Sequence, residues 1–520
     1  VTTPLSAGLP DDATLRELAA RQGVCVRPIL QHVTDTLTGT TRTVVIACGA
    51  TRAKVCPSCA DTARRLRIQQ CREGWHLDHD PPRPEPDNQD DEPENDGQAD
   101  EYEDTGRRVR STRRRQDAPN IPRLEVSDRT TGRIFEAPDG KTYRPSMFLT
   151  LTLPSYGRVT SEGAPADPAT YDYRRAALDA MHFPKLVDRF WQNLRRATGY
   201  NVQYFATVEP QRRLAPHLHA AIRGAIPRKL IRQVVAATYH QVWWPNLDEP
   251  VHTDPAAMPV WDELAHAYAD PQTGALLPSW DAALDEINDD PAAMPAHVIR
   301  AGSQVDIQGV IAGTPLADRV IGYLTKYLTK SITDPLHNDH DGEAPISAAC
   351  RAHIDRLADE VRWLPCSPTC ANWLRHGIQP KNPRPGLEPG RCTSKAHDRD
   401  HLGLGGRRVL VSRRWTGKSL DQHRADRAAV IRAVLTEAGI DMDDHDELSA
   451  TTTTPDGTPR FVWTTTHPGD LDGPSYARLI AHAINQRQRW RNQYETAKTR
   501  AGPTTPDLSA TARSTAAPAV

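Results

Sequence analysis

The spacing of apolar and polar residues changes period several times along this chain, and each change predicts an element. Residues 12–22 set Leu15, Leu18 and Ala19 at helical spacing, with Gly23 as a stop. Residues 43–47 read as a short strand leading into Cys48. Residues 60–70 read as a helix whose Arg64, Arg65 and Arg67 form either a phosphate-facing strip or an ordinary solvated face. In 147–153, Leu149, Leu151 and Leu153 point one way and Phe148, Thr150 and Thr152 the other, a half-buried strand stopped by Pro154. Residues 171–198 return to helical spacing through Phe183, Leu186, Phe190 and Leu194. Residues 202–209 and 217–222, joined by a loop at 211–215, predict a hairpin. A helix opens at Arg228, with Leu230, Val234, Val235 and Tyr239 apolar. Residues 305–310 predict a strand; 318–330, 351–363, 419–437 and 475–498 predict helices.

This succession predicts an α+β fold, an antiparallel sheet with flanking helices. Composition then divides the chain. Aromatic residues make up 6% and Pro supplies 44 of 520 residues, so much of the length is linker and loop. Residues 81–106 are dense in Asp, Glu and Pro, and 106–115 reverse the sign with a run of Arg. Both are expected to be disordered, and the basic run either holds phosphates or only neutralises the acidic arm beside it. The expected plan has a Cys-rich region at 1–80, a linker at 81–120 and a catalytic domain at 121–345. Inside that domain lies an insertion at about 231–303, helical around 260–269 and 280–287. A Cys/His and basic region follows at 346–440, then a helical extension and tail at 441–520. The net charge of -2 decides nothing about nucleic acid, because the acidic block offsets basic surface elsewhere. No run has the character of a signal peptide or a membrane span, and a cytoplasmic protein is expected.

The nine cysteines are clustered and read as reduced thiols or metal ligands. Cys56 and Cys59 in Cys-Pro-Ser-Cys can take adjacent corners of a zinc tetrahedron. Cys48 is the expected third ligand, and Cys71 or His76 the fourth. Cys366, Cys370, Cys392 and His397 form a second candidate zinc set. The alternative is that Cys25, Cys48 and Cys71 are small buried hydrophobes.

Period two along 217–222 puts His217, His219 and Ala221 on one sheet face. Two imidazoles on one face can share a divalent cation, and Glu209, ending the preceding strand, is the nearest carboxylate. In the predicted 318–330 helix, Tyr323 and Tyr327 stand i, i+4, beside the pair Lys326 and Lys330. A phenol can attack phosphorus where a metal polarises the phosphate and an ammonium holds its charge. The opposing reading packs both rings against the sheet.

A strand His-x-His followed by Tyr-x-x-Lys-Tyr-x-x-Lys resembles the HUH endonucleases, and more narrowly the replication initiators of actinobacterial plasmids and integrative elements. The segments at 48–60, 70–77, 364–380 and 401–420 extend the resemblance over most of the chain. It implies an HUH-like antiparallel sheet, Mg²⁺ or Mn²⁺ on His217 and His219, and Tyr323 and Tyr327 as nucleophiles that nick one strand of an origin. Which tyrosine attacks first stays open. The expected partners are single-stranded or supercoiled origin DNA, a separate helicase and a host DNA polymerase. No membrane partner is expected.

In 403–418, glycines accompany Arg407, Arg408, Arg413, Arg414, Trp415 and Lys418. An arginine-rich strand pair with an indole suits phosphate contact and base stacking, against a plain surface hairpin. Gly417-Lys418-Ser419 ends like a P-loop, but Ser412 stands where the opening glycine is required, which excludes an ATPase site. Two rivals remain: a two-tyrosine transposase, and a non-catalytic zinc-stabilised DNA-binding regulator.

Overall fold

The computed structural model describes residues 11–77, 80–81, 121–130, 135–136, 142–143, 145–311, 314–326, 328, 346–437, 452–466 and 476–501. Nearly all of the acidic block, the basic run after it, the final tail, and Tyr327 and Lys330 lie outside the described residues.

The chain divides into two compact units. One comprises Val1–Arg72, Leu328–Lys330 and Lys418–Val520; the other comprises Glu73–Tyr327 and Ser331–Gly417. The Cys/His segment after 346 therefore belongs with the sheet, and the chain beyond Gly417 folds with the N-terminal region.

The larger unit is built on a five-stranded antiparallel sheet. Its strands run in the order Val305–Ile311, Pro145–Leu151, Pro216–Ile222, Tyr204–Pro210, Val409–Val411. Register fixes the chemistry: Thr150 and Thr207 flank His219 from either side, and Glu209 lies opposite His217. With side chains alternating between faces, these polar residues share one face. Leu149, Leu151, Val208, Leu218, Ala220 and Ile222 face the other way, into the main core. That core is closed by helix Tyr173–Thr198, which buries Phe183, Leu186, Phe190 and Leu194. The Asp172 side chain caps the helix by accepting the Arg175 N–H. Gly199 ends it at φ 68°, a left-handed conformation that costs glycine little.

The insertion is mixed rather than helical. Helix Arg228–Ala237 gives way to strand Tyr239–Val242, which pairs with His297–Arg300. The helix expected near 260–269 is instead a pair of short strands, Val260–Asp262 and Ala267–Ala269. There the Asp262 carboxylate accepts the Leu264 and Ala265 N–H groups, a local turn that competes with helix formation.

The smaller unit carries a three-stranded antiparallel sheet, in the order Phe461–Thr466, Ile29–Asp35, Thr41–Ile46. Leu15 and Ala19 of helix Asp12–Arg21 pack with Ile480 and Ile484 of helix Tyr476–Ala501, around Cys56 and Cys59.

Candidate active site and metal clusters

His217, His219 and Glu209 are brought together on the polar face of the larger sheet, each with a possible ligand atom within 4.8 Å of the others. All three are buried. His219 Nε2 lies 3.9 Å from Glu209 Oε2. Its Nδ1 meets the Thr150 hydroxyl at 2.9 Å, and its ring stacks on Phe148. The Thr207 hydroxyl donates to Glu209 Oε1 at 3.3 Å.

Burial dominates the electrostatics. It pulls the His217 ring down to about 4, although a backbone contact with Glu209 opposes it. It pulls His219 down to about 3, and the neighbouring His217 adds to the effect. Both rings are therefore neutral at pH 7, with lone pairs available. Burial lifts the Glu209 carboxyl to about 7, against the opposing influence of Arg408, the Thr207 hydroxyl and Lys326.

The donor set suits a divalent cation: two neutral imidazoles and one carboxylate. Among the described residues the buried His217 Nδ1 has no hydrogen-bond partner, and such an atom is costly unless something satisfies it.

Helix Pro315–Lys326 lies over this face and buries Val320, Ile321 and Leu324. It carries Tyr323, whose hydroxyl is 3.2 Å from His219 Nε2 and whose ring meets the His219 ring edge to face. The tyrosine ring also meets Phe148 edge to face, yet it remains 42% exposed. Lys326 is exposed at the last residue of the helix, yet close enough to Glu209 for its charge to be felt there.

Comparisons with known proteins bear on this arrangement. The model of the RepSA family, described as replication initiator protein, pSAM2, matches residues 11–486. The chain belongs to this family of replication initiators. It is also 28% identical over 223 residues to a replication initiator protein of Streptomyces ambofaciens, covering 36% of this chain and 42% of that one. The match thus spans less than half of the relative's length. No solved structure matches.

In this RepSA-family chain two further clusters can hold metal. Cys366, Cys370, Cys392 and His397 converge as the sequence suggested. Cys366 and Cys392 sulfurs are 3.9 Å apart, and Cys370 Sγ is 3.5 Å from His397 Nε2. His397 Nδ1 lies 2.9 Å from the Val361 carbonyl and donates to it, which turns Nε2 toward the sulfurs. Burial alone would lower that ring, but Cys366 and Cys392 push it up to about 10.

The other cluster differs from the expected one. Cys48, Cys56 and Cys59 meet Cys25, not Cys71 or His76. Sγ of Cys48 is 3.7 Å from Sγ of Cys59, and Sγ of Cys56 is 3.8 Å from Sγ of Cys25. Four sulfurs around one zinc at about 2.3 Å would stand roughly 3.8 Å apart. Cys71 is instead fully buried in helix Pro57–Trp75, and burial pushes its thiol up. His76 stacks on Trp75 and lies 3.3 Å from the Ser146 hydroxyl. Cys25 had no motif to mark it, since it stands 23 residues before Cys48 and is brought there by the small core. All nine cysteines are free of disulfides.

The basic 403–418 segment is one edge strand, Val409–Val411, rather than a pair. Trp415 is fully buried, next to Phe205 and beneath the Arg223 guanidinium, so it is not a base-stacking platform. Arg414 is engaged with the Pro81 carbonyl and Asp128. Lys418 is paired with Asp426 at 2.7 Å. Arg407 and Arg413 are exposed, and Arg408 is within electrostatic reach of Glu209. Among the described residues no helix is long and apolar enough to cross a membrane.

Proposed function

We propose that this chain is a metal-dependent, site-specific DNA nickase that initiates rolling-circle replication of a plasmid or integrative element. The observation that carries the reading is the Tyr323 hydroxyl 3.2 Å from His219, on a helix laid over a buried His-His-Glu set. His217, His219 and Glu209 would hold a Mg²⁺ or Mn²⁺ ion, which would supply Lewis-acid polarisation of the scissile phosphate.

The chain's own residues do the rest. Tyr323 Oη forms a bond to phosphorus while the bond to the 3′-oxygen breaks. The phenol proton is lost, and the departing oxygen gains one to become a 3′-hydroxyl. One phosphodiester is thus exchanged for another, and the 5′-phosphotyrosine conserves the energy of the cut link. Lys326, and Lys330 four positions later in sequence, supply positive charge for the phosphate. Tyr327 is the second tyrosine, available to return the strand in a later transfer. Thiolate-rich chemistry suits Zn²⁺ at the Cys25 and Cys366 clusters as structural metal. The DNA is single-stranded or supercoiled at the origin, with opening and synthesis left to a separate helicase and polymerase.

The test is a labelled single-stranded origin oligonucleotide incubated with the protein and Mn²⁺. A covalent adduct should form, disappear with a chelator, and disappear in Tyr323→Phe. An adduct that persists in Tyr323→Phe but not in Tyr327→Phe would reassign the first nucleophile. One that persists when both are replaced would overturn the mechanism.

A further inference from the structure

The smaller unit holds a concentration of positive charge that the nicking chemistry does not use. Helix Tyr476–Ala501 carries five Arg and one Lys against a single Glu, in a chain whose net charge is -2. Its early turns serve the core, where Ile480 and Ile484 meet Leu15 and Ala19. Further along, Arg487, Trp490, Arg491 and Tyr494 recur at three- and four-residue spacing, which places them along one face.

That face is built. The Arg487 guanidinium lies 4.9 Å from the Trp490 ring centroid, and Trp490 stacks on Tyr494 at 5.6 Å with planes 13° apart. Arg491 reaches Gln22 of the N-terminal region at 3.5 Å. Two more helices contribute: Arg65 from Pro57–Trp75, ion-paired to Asp61 at 2.8 Å, and Arg427 from Leu420–Glu437. Arg427 and Arg487 are both held below the ordinary arginine range. Burial is the larger cause, and next come neighbouring guanidinium groups, with Arg65 acting on both. Asp61 offsets this only in part at Arg427. Guanidinium groups from three helices therefore lie within electrostatic reach of one another, and phosphates bound among them would offset that repulsion.

We propose that this three-helix arginine face docks the phosphate backbone of duplex DNA, as a second contact beyond the nicking site. Charge complementarity names the partner class, since phosphates spaced along a backbone satisfy several guanidinium groups at once. The aromatic rings select duplex over single strand. Trp490 already has the Arg487 guanidinium and the Tyr494 ring as partners, so the indole is not set out as a platform for an unstacked base. The interaction is sequence-independent and positions the chain on DNA rather than choosing the site.

The experiment measures binding of the full-length protein to a fluorescent duplex of mixed sequence, across a salt series, by anisotropy. The duplex contains no origin sequence, so no strand is cut and the result stands apart from the nickase reading. Replacing Arg427, Arg487 and Arg491 together by Gln should weaken binding roughly ten-fold or more. It should also flatten the slope of log affinity against log salt by about 0.9 for each phosphate no longer neutralised. The matching Lys variant keeps the charge and should retain most of the affinity. If the Gln triple variant does not fold, Arg491→Gln alone, on an exposed position, should flatten the slope by about 0.9. An unchanged slope in a folded Gln variant overturns the proposal. So does an equal loss of affinity in the Lys variant, or a Gln triple variant that loses as much affinity for single-stranded DNA of the same sequence as for duplex.

Discussion

Thr150 and His219 stand opposite one another on adjacent antiparallel strands, and the Thr150 hydroxyl lies 2.9 Å from His219 Nδ1. With Nδ1 engaged by the hydroxyl, Nε2 is the ring nitrogen turned toward Glu209 and Tyr323, and its lone pair is free for a cation in the tautomer whose Nδ1–H donates to Thr150. Partners of this kind fix the tautomer and aim of a metal-binding imidazole. Replacing Thr150 by Val, which keeps the shape and removes the hydroxyl, should weaken Mn²⁺ binding roughly 10- to 100-fold. Thr150→Ser should restore it. Calorimetric titration reads this without any DNA, and unchanged affinity in the Val variant would remove Thr150 from that role.

The Cys25 cluster makes a prediction that separates it from the set suggested by sequence. Cys25→Ser should lower the zinc content of purified protein by about one ion per chain, because the tetrahedron loses a corner. Cys71→Ser should leave zinc content unchanged, since that sulfur is not in the group. Elemental analysis of both variants decides, and the reverse pattern would restore Cys71 as the ligand.

Gly74 is needed where two segments come very close. A Cβ built there would fall 2.3 Å from the Trp415 ring and 2.6 Å from the Trp415 carbonyl oxygen. The Arg223 guanidinium fastens the same spot by donating to the Gly74 carbonyl, at 2.9 Å from Nε, and also to the Trp415 carbonyl. Gly74→Ala should cost about 1–3 kcal/mol of stability through overpacking. Arg223→Met should destabilise as well, by leaving buried carbonyls without a donor. Urea unfolding measures both, and a wild-type midpoint for Gly74→Ala would show that the backbone yields freely here.

Stability should also fall with acid through a histidine group under the insertion. His182 faces His240, His297, Lys185 and Trp244; His297 in turn is 2.7 Å from Asp179, and Arg189 adds positive charge near His240. Burial holds His182 at about 3 and His240 at about 4, below the ordinary 6.5. Between those values the unfolded chain binds protons that the folded one refuses. The stability is thus complete above about 6.5 and is lost as pH falls toward 4, by about 1.4 kcal/mol per unit of difference at each ring. Urea midpoints at pH 7.5 and 5 should separate accordingly, and the double variant His182→Leu/His240→Leu should narrow the gap. An equal gap in that variant would place the acid sensitivity elsewhere.

Local periodicity was sufficient to specify the elements that carry the chemistry. Alternation in 147–153 and 217–222 was enough to place His217 and His219 on one face, because a strand's period of two leaves no other choice. The spacing of Phe183, Leu186, Phe190 and Leu194 likewise required the helix that covers the opposite face. Short cysteine spacings marked Cys56 with Cys59 and Cys366 with Cys370, since nearby ligands meet whatever the rest of the chain does.

Whatever depends on residues distant in the chain was set by the three-dimensional fold. Register, not pattern, put Thr150 and Thr207 beside His219 and Glu209 opposite His217. Packing of helix Pro315–Lys326 over the sheet brought Tyr323 to His219, across 104 positions. Cys25 reached its cluster through the core it shares with Ile480 and Ile484. Trp415, an indole within an arginine-rich run, was drawn inside by Gly74 and Arg223. A repeat along the chain reports which face a side chain occupies. Which partner waits on that face is set by how distant segments bury their apolar surface together, and no local pattern encodes that.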